Sequence, residues 1–338
     1  MHLRLPPWLR LALAAVLVVV LMFPASWGAT ALWYRLPGGA VMRCTGAAMW
    51  AALCVALLVL AGQGRALAAA LGFAAIFAAL LLWWQTIAPS NDRVWADDVA
   101  HGVTGTVEGD AVTLAGVRDF DWRSESDYAP RWETRRYDLS RLESVDLILS
   151  YWMGPSIAHT LVSFGFADGA RVVFSAEIRR KRGEKFSAVG GFFKEFELVL
   201  IAADERDIVR LRSNVRGEDV YLYRVDMPKP AMQALFRAYV AEGNALAQTP
   251  RFYNTVTTNC TTLIYHMMRH IVGNLPLDWR LLLSGHVDEY VYARGALDTR
   301  YPLAQLRAVG RIGERARAAD RDAAFSAEIR RGIPELPR

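Results

Sequence analysis

A cysteine, a histidine and a carboxylate are the residue types from which acyl chemistry on sulfur is built, and this chain offers a candidate for each. Cys260 stands in Tyr253-Asn254-Thr255-Val256-Thr257-Thr258-Asn259-Cys260-Thr261-Thr262, just ahead of the apolar positions Leu263, Ile264, Met267 and Ile271. Hydroxyl and amide side chains running into a helical apolar pattern predict a helix start, with Thr258 or Asn259 as N-cap. A thiol on that first turn faces the positive end of the helix dipole, which favours thiolate, the form that attacks carbonyls. The other cysteines, Cys44 and Cys54, lie inside apolar runs, so Cys260 has no evident disulfide or metal partner. The competing reading is a small buried hydrophobe, because Cys260 shares a helical stripe with Ile264, Met267 and Ile271.

Thiol catalysis needs a base that takes the proton from sulfur and returns it to a leaving group. His101, His159, His266, His270 and His286 are the histidines available after the apolar N-terminal region. His159 is the best placed of them, on an expected strand that holds a side chain firmly, with small Ser163 and Gly165 on its own face. His101 and His286 fall in glycine-flanked loops. His266 and His270 are four apart on the expected Cys260 helix, but the glutamate of a zinc-protease motif is missing and no third ligand is evident, so no metal site and no cofactor are expected. Glu177 is the nearest acid for orienting the imidazole. A two-residue turn would pair 160 with 177 and 159 with 178, which puts Glu177, and Ser175 with it, on the wrong face unless a bulge shifts the register. Asn259 and the Cys260 backbone N–H are candidate oxyanion donors at the helix N-terminus.

The elements that must hold these residues read as an antiparallel sheet with helices packed on it, an α+β domain. Its clearest hairpin runs Ile157 to Phe166, turns through Ala167-Asp168-Gly169-Ala170 and returns over Arg171 to Ile178. Short strands are expected before it and around 197–203 and 220–225, a short helix at 205–212 and an amphipathic helix at 231–247. The basic run beginning Arg179-Arg180-Lys181 reads as a solvated hairpin end or as a contact with lipid phosphates. Gly190-Gly191-Phe192-Phe193 reads as a packed loop or as a lid over a substrate.

Upstream lie three stretches without charge, Leu11 to Tyr34, Cys44 to Gly64 and Ala66 to Asn91. Each is about the ~20 residues a helix needs to cross a hydrocarbon core. Three membrane helices are expected, at about 11–33, 44–63 and 66–88, although residues 1–29 also fit a signal peptide. Arg4, Arg10 and Arg65 on one side against Arg35 and Arg43 on the other lean toward a cytoplasmic N-terminus, with everything after Asn91 outside the cytoplasm. Residues 1–90 hold five of the 39 basic residues and none of the 34 acidic ones, which leaves 34 of each sign in residues 91–338. The part beyond the membrane is therefore neutral, and nucleic-acid binding has no electrostatic support. The expected organisation is a membrane anchor over 1–90, an extracytoplasmic domain over 91–300 and an Arg-rich helical tail over 301–338.

Taken together, Asn91-Asp92-Arg93, the His159 strand, Phe174-Ser175-Ala176-Glu177-Ile178-Arg179-Arg180, Gly190-Gly191-Phe192-Phe193, Asp204-Glu205-Arg206-Asp207 and Asn259-Cys260-Thr261-Thr262 resemble the Lnb N-terminal periplasmic domain family over roughly residues 91–285. The resemblance implies a papain-like fold in permuted order and a Cys–His pair falling on Cys260 and His159. Together with the three expected helices, it implies a multi-pass protein of the bacterial inner membrane with a periplasmic C-terminal domain. The member that names the family moves an acyl chain onto the amino group of a lipid-modified cysteine, but its membrane helices follow the domain, whereas here they precede it. A membrane lipid or a lipoprotein is the substrate so implied. A peptidase or amidase acting on envelope peptides, or a binding module without turnover, are the alternatives.

Overall fold

The computed structural model describes residues 6–336, and for residues 7 and 9–20 the backbone alone. Two compact units divide it: residues 1–89 together with 187–195, and residues 90–186 together with 196–338.

The first unit is built on three helices, α1 (Pro7–Arg35), α2 (Ala40–Gly62) and α3 (Ala66–Thr86). Short loops force consecutive helices to run antiparallel and pack along their length. Among the described residues, α2 and α3 are long and apolar enough to cross a membrane. In the first expected span, 11–33, side chains are described from residue 21 onward, and Arg4 lies outside the described residues. The Gly190–Phe193 segment belongs to this helical unit. Phe193 stacks on Tyr34 with ring centroids 5.7 Å apart and packs against Trp27 and Trp84. Lys194 Nζ donates to the carbonyls of Trp84 and Ile87 at 2.8 and 3.2 Å, a cation placed at the C-terminal end of α3. A side chain at Gly190 would collide with the Glu195 carboxylate, which explains the glycine there. Gly190–Phe193 is thus a loop packed through Phe193 against the aromatic residues of the helical unit.

The second unit is α+β. Its strands are β1 (Thr104–Glu108), β2 (Ala111–Arg118), β3 (Asp121–Trp122), β4 (Tyr128–Ala129), β5 (Trp132–Asp138), β6 (Leu142–Tyr151), β7 (Ala158–Phe166), β8 (Arg171–Arg179), β9 (Glu197–Ala203) and β10 (Asp219–Val225). Eight of them form one sheet in the order β1-β2-β9-β8-β7-β6-β10, with β5 also paired to β2, while β3 and β4 make a separate ribbon. The sheet is mixed rather than purely antiparallel, because β2 and β9 run parallel. The helices are α4 (Glu205–Arg210), α5 (Lys229–Gln248), α6 (Cys260–Val272), α7 (Val287–Ala293), α8 (Leu303–Gly310), α9 (Gly313–Ala318) and α10 (Phe325–Glu328).

Both faces of the central strands are covered, which is why β7, β8 and β9 read as nearly continuous apolar runs. On one face α5 and α6 lay Leu235, Phe236, Tyr239, Leu246, Cys260 and Leu263 over Val162, Phe164, Phe174 and Leu200. Full burial of each large side chain in this layer contributes on the order of 1.5–3 kcal/mol. On the other face α4, α9 and α10 cover Ile148, Leu161, Val173, Ile201 and Leu222. The expected C-terminal tail is therefore not an appendage: Ile312, Ala316, Phe325 and Ile329 are core residues of this unit. Arg330 ties it down further by pairing with the fully buried carboxylates of Asp146 and Glu205.

Candidate active site

The β7–β8 hairpin sets the geometry. Its loop is three residues, 167–169, not two: the Phe166 N–H bonds the Ala170 carbonyl at 3.1 Å and Gly169 sits at φ 84°. A residue in that left-handed conformation after a tight turn makes a bulge, and glycine takes it without a Cβ penalty. The extra residue moves the register by one, so that Gly165 pairs with Arg171 and Leu161 with Ser175. The register expected from the sequence is corrected accordingly. His159, Ser175 and Glu177 share one face of the sheet.

There the carboxylate and the imidazole meet. His159 Nε2 lies 3.1 Å from Glu177 Oε1 and 2.7 Å from Ser175 Oγ. Ser175 Oγ in turn donates to Glu177 Oε1 at 2.7 Å. Because Ser175 directs its own hydrogen to Glu177, its oxygen is an acceptor toward the ring, and Nε2 faces two acceptors. Nε2 therefore carries the hydrogen, and in the neutral ring Nδ1 presents the bare lone pair.

Cys260 arrives from the opposite face on α6. Asn259 is the N-cap: its side-chain oxygen accepts from the N–H groups of Thr261 and Thr262 at 3.0 and 2.9 Å, and Thr262 Oγ1 accepts from the Asn259 N–H in return. This reciprocal capping box fixes the helix start. The helix is docked on β7 through Thr160 Oγ1 and Thr261 Oγ1, 3.0 Å apart, which sets the sulfur beside the first residues of the strand. Asn259 Nδ2 donates to the Thr255 carbonyl at 2.8 Å, so this side chain serves mainly the cap and the loop before it. The Cys260 N–H has no acceptor among the described residues and is the better oxyanion candidate.

Electrostatics follow from the contacts. Burial alone would push the Cys260 thiol up, but the His159 ring beside the sulfur and the Thr160 backbone N–H outweigh it and bring the thiol down from 9.0 to about 7. For His159, burial and the Arg212 charge oppose protonation, while Glu177 and Cys260 favour it, with a net rise from 6.5 to about 9. Burial works against ionising Glu177, and the His159 and Arg212 charges overcome it, holding the carboxyl well below its usual range. Between about 7 and 9 the pair is thus a thiolate and an imidazolium. Cys260 is 7% exposed and the His159 side chain 13%, so the group is sheltered but reachable.

Cys260, His159 and Glu177 lie together in the structure. Arg179, Arg180 and Lys181 each have partners within the domain. The Arg179 guanidinium is buried, donates to the Val99 and Ala100 carbonyls and to Asn91 Oδ1, and lies over the Trp95 ring. Arg180 pairs with Asp98 and Lys181 with Glu184. His266 and His270 are exposed on the outer side of α6, and His286 pairs with Glu289. Sequence reasoning missed Arg212, whose Nη2 donates to Glu177 Oε1 at 3.0 Å and whose Nη1 donates to Glu218 Oε2 at 3.1 Å. An arginine closing a short helix gives no signal beyond the usual preference for cations at helix C-termini.

The fold and the site define an α+β domain that carries a sheltered cysteine–histidine–carboxylate group, in a chain with apolar helices ahead of it. Residues 128–285 match the Lnb N-terminal periplasmic domain family. The matched segment holds Cys260, His159 and Glu177; Asn91-Asp92-Arg93 lies outside it. No curated protein and no solved structure matches the chain. With α2 and α3, the match describes a membrane-associated envelope protein with a periplasmic domain.

Proposed function

We propose that this protein is a membrane-anchored thiol acyltransferase of the bacterial envelope, with the domain arranged as a permuted papain-like fold. Three membrane helices then place the domain on the periplasmic side. The observation that carries the reading is the juxtaposition of an acidic helix-capped thiol with an imidazole whose far nitrogen is held by Glu177. The Cys260 thiolate attacks an ester carbonyl of a membrane lipid, and the oxyanion so formed is met by the Cys260 N–H. As the C–O bond breaks, the His159 imidazolium protonates the departing alkoxide and leaves a thioester on Cys260. An amine, such as the free N-terminus of a lipoprotein, attacks the thioester, His159 removes its proton, and the C–S bond breaks to restore the thiolate. Apolar helices ahead of the domain in the sequence and the family of the matched segment favour a lipid donor over a peptide. The same dyad would equally open a peptide bond, which is the alternative.

Incubating the full-length protein with envelope lipids and measuring its intact mass tests this. An added acyl mass on Cys260, absent in Cys260→Ser and discharged by an amine acceptor, is the expected result. Turnover of envelope peptides without any lipid-derived adduct would establish the peptidase instead, and neither activity in a protein with an acidic Cys260 would leave a binding module.

A further inference from the structure

Resting on the reading of Cys260 and His159 as a working pair, we infer that Arg212 is a positioning residue, acting through Glu177 to hold the imidazole in line with the sulfur. Its guanidinium forks between two carboxylates, Glu177 and Glu218, and Glu218 also accepts from Ser150 Oγ on β6, the residue paired with His159. A planar fork that spans two carboxylates fixes the direction of both, which a point charge cannot do. Glu177 thereby has three donors around a single oxygen, Ser175, Arg212 and His159, and that oxygen is pinned rather than free to rotate away.

The backbone that carries Arg212 is unusual for a residue with only a packing role. After α4 the chain makes a π-helical turn over Leu211–Val215. Such single turns gather at functional sites because the additional residue re-aims side chains that a regular α-helix would send elsewhere. The turn is anchored from outside: Asn214 Nδ2 donates to the Ala316 carbonyl at 2.8 Å and to Asp320 Oδ1 at 2.6 Å. The C-terminal helices therefore brace the turn that aims Arg212. In addition, Arg212 Nε is buried without an acceptor among the described residues. A buried donor left unpaired costs stability, and that cost is consistent with a residue kept for what its other two nitrogens do.

The test is a double-mutant cycle read by the alkylation of Cys260 as a function of pH, using iodoacetamide on the full-length protein in detergent and quantifying the Cys260 peptide by mass. Arg212→Lys keeps the charge and removes the fork, and Glu177→Gln removes the partner. With Glu177 present, Arg212→Lys should raise the apparent thiol pKa by about one unit and slow alkylation at pH 7 by about fivefold. In the Glu177→Gln background the same change should have no further effect. Equal effects in both backgrounds, or no shift with Glu177 present, would overturn the inference, since a residue that merely packs has no reason to act through Glu177. Thermal unfolding of each variant separates these results from loss of the fold. An ordinary thiol pKa in the wild type would instead sink the proposed function itself, and the inference with it.

Discussion

Replacing His159 with alanine removes the group that makes Cys260 acidic, and the size of the effect can be worked out. The thiol lies at about 7 against an ordinary value of 9.0. Two units correspond to about 2.7 kcal/mol of preference for the thiolate. The His159 ring is the largest influence lowering the thiol, while burial pushes the other way. Without the ring, burial is opposed mainly by the Thr160 N–H, and the thiol returns to 9.0 or above. Glu177 is not stranded by the change, because Arg212 and Ser175 still donate to it. At pH 7 the thiolate fraction should fall from about one half to about one in a hundred, so alkylation of Cys260 should slow by about fiftyfold. The two rate profiles should converge above pH 10, where both proteins are thiolate. Stopped-time labelling with iodoacetamide between pH 5 and 11, quantified on the Cys260 peptide, measures this, and normalising each protein to its high-pH rate removes differences in access to the sulfur. Rates at pH 7 within threefold of each other would refute the claim that the imidazole acidifies the thiol.

Three further outcomes are expected. Asn259→Ala should lower stability by about 1 kcal/mol through loss of the cap, with Asn259→Asp recovering most of it, as measured by chemical unfolding. Gly169→Val forces a β-branched residue into the left-handed position of the hairpin loop and should cost at least about 1–2 kcal/mol, whereas Gly169→Asn should cost less; differential scanning calorimetry distinguishes them. Glu205 is fully buried, and although burial disfavours its charge, Arg330 brings its carboxyl down to about 2. A depressed carboxyl contributes stability that is full above the unfolded value near 4.5 and is lost as pH falls through 2, so the wild type should weaken across that window. Arg330→Met should flatten this dependence and, by leaving buried carboxylates without their cation, cost roughly 3–5 kcal/mol in thermal unfolding near neutral pH.

Local sequence was enough to locate the cysteine helix, because capping and apolar periodicity are properties of a few neighbouring residues. Asn259 caps α6 and Cys260 opens it, as the run of polar residues implies. The same holds for the β7–β8 hairpin, which Asp168-Gly169 announces between two apolar runs. Charge-free lengths likewise marked α2 and α3. What sequence left open was which face each strand residue takes, since a one-residue difference in loop geometry inverts the whole strand. Gly169 at positive φ resolves that, and Glu177 joins His159 for that reason.

Long-range packing decided the rest. Nothing in Gly190–Phe193 indicates that Phe193 stacks on Tyr34, because the partners are 159 positions apart and the driving force is burial within the helical unit. Nor does the Arg-rich tail reveal that its helices are core. Its apolar residues are spaced too sparsely to stand out, and they acquire a role only against the finished sheet. Arg212 is the sharpest case. Its value lies in two carboxylates from different strands and loops, and only the tertiary fold brings those charges to one guanidinium, because their attraction fixes geometry once burial has removed water from between them.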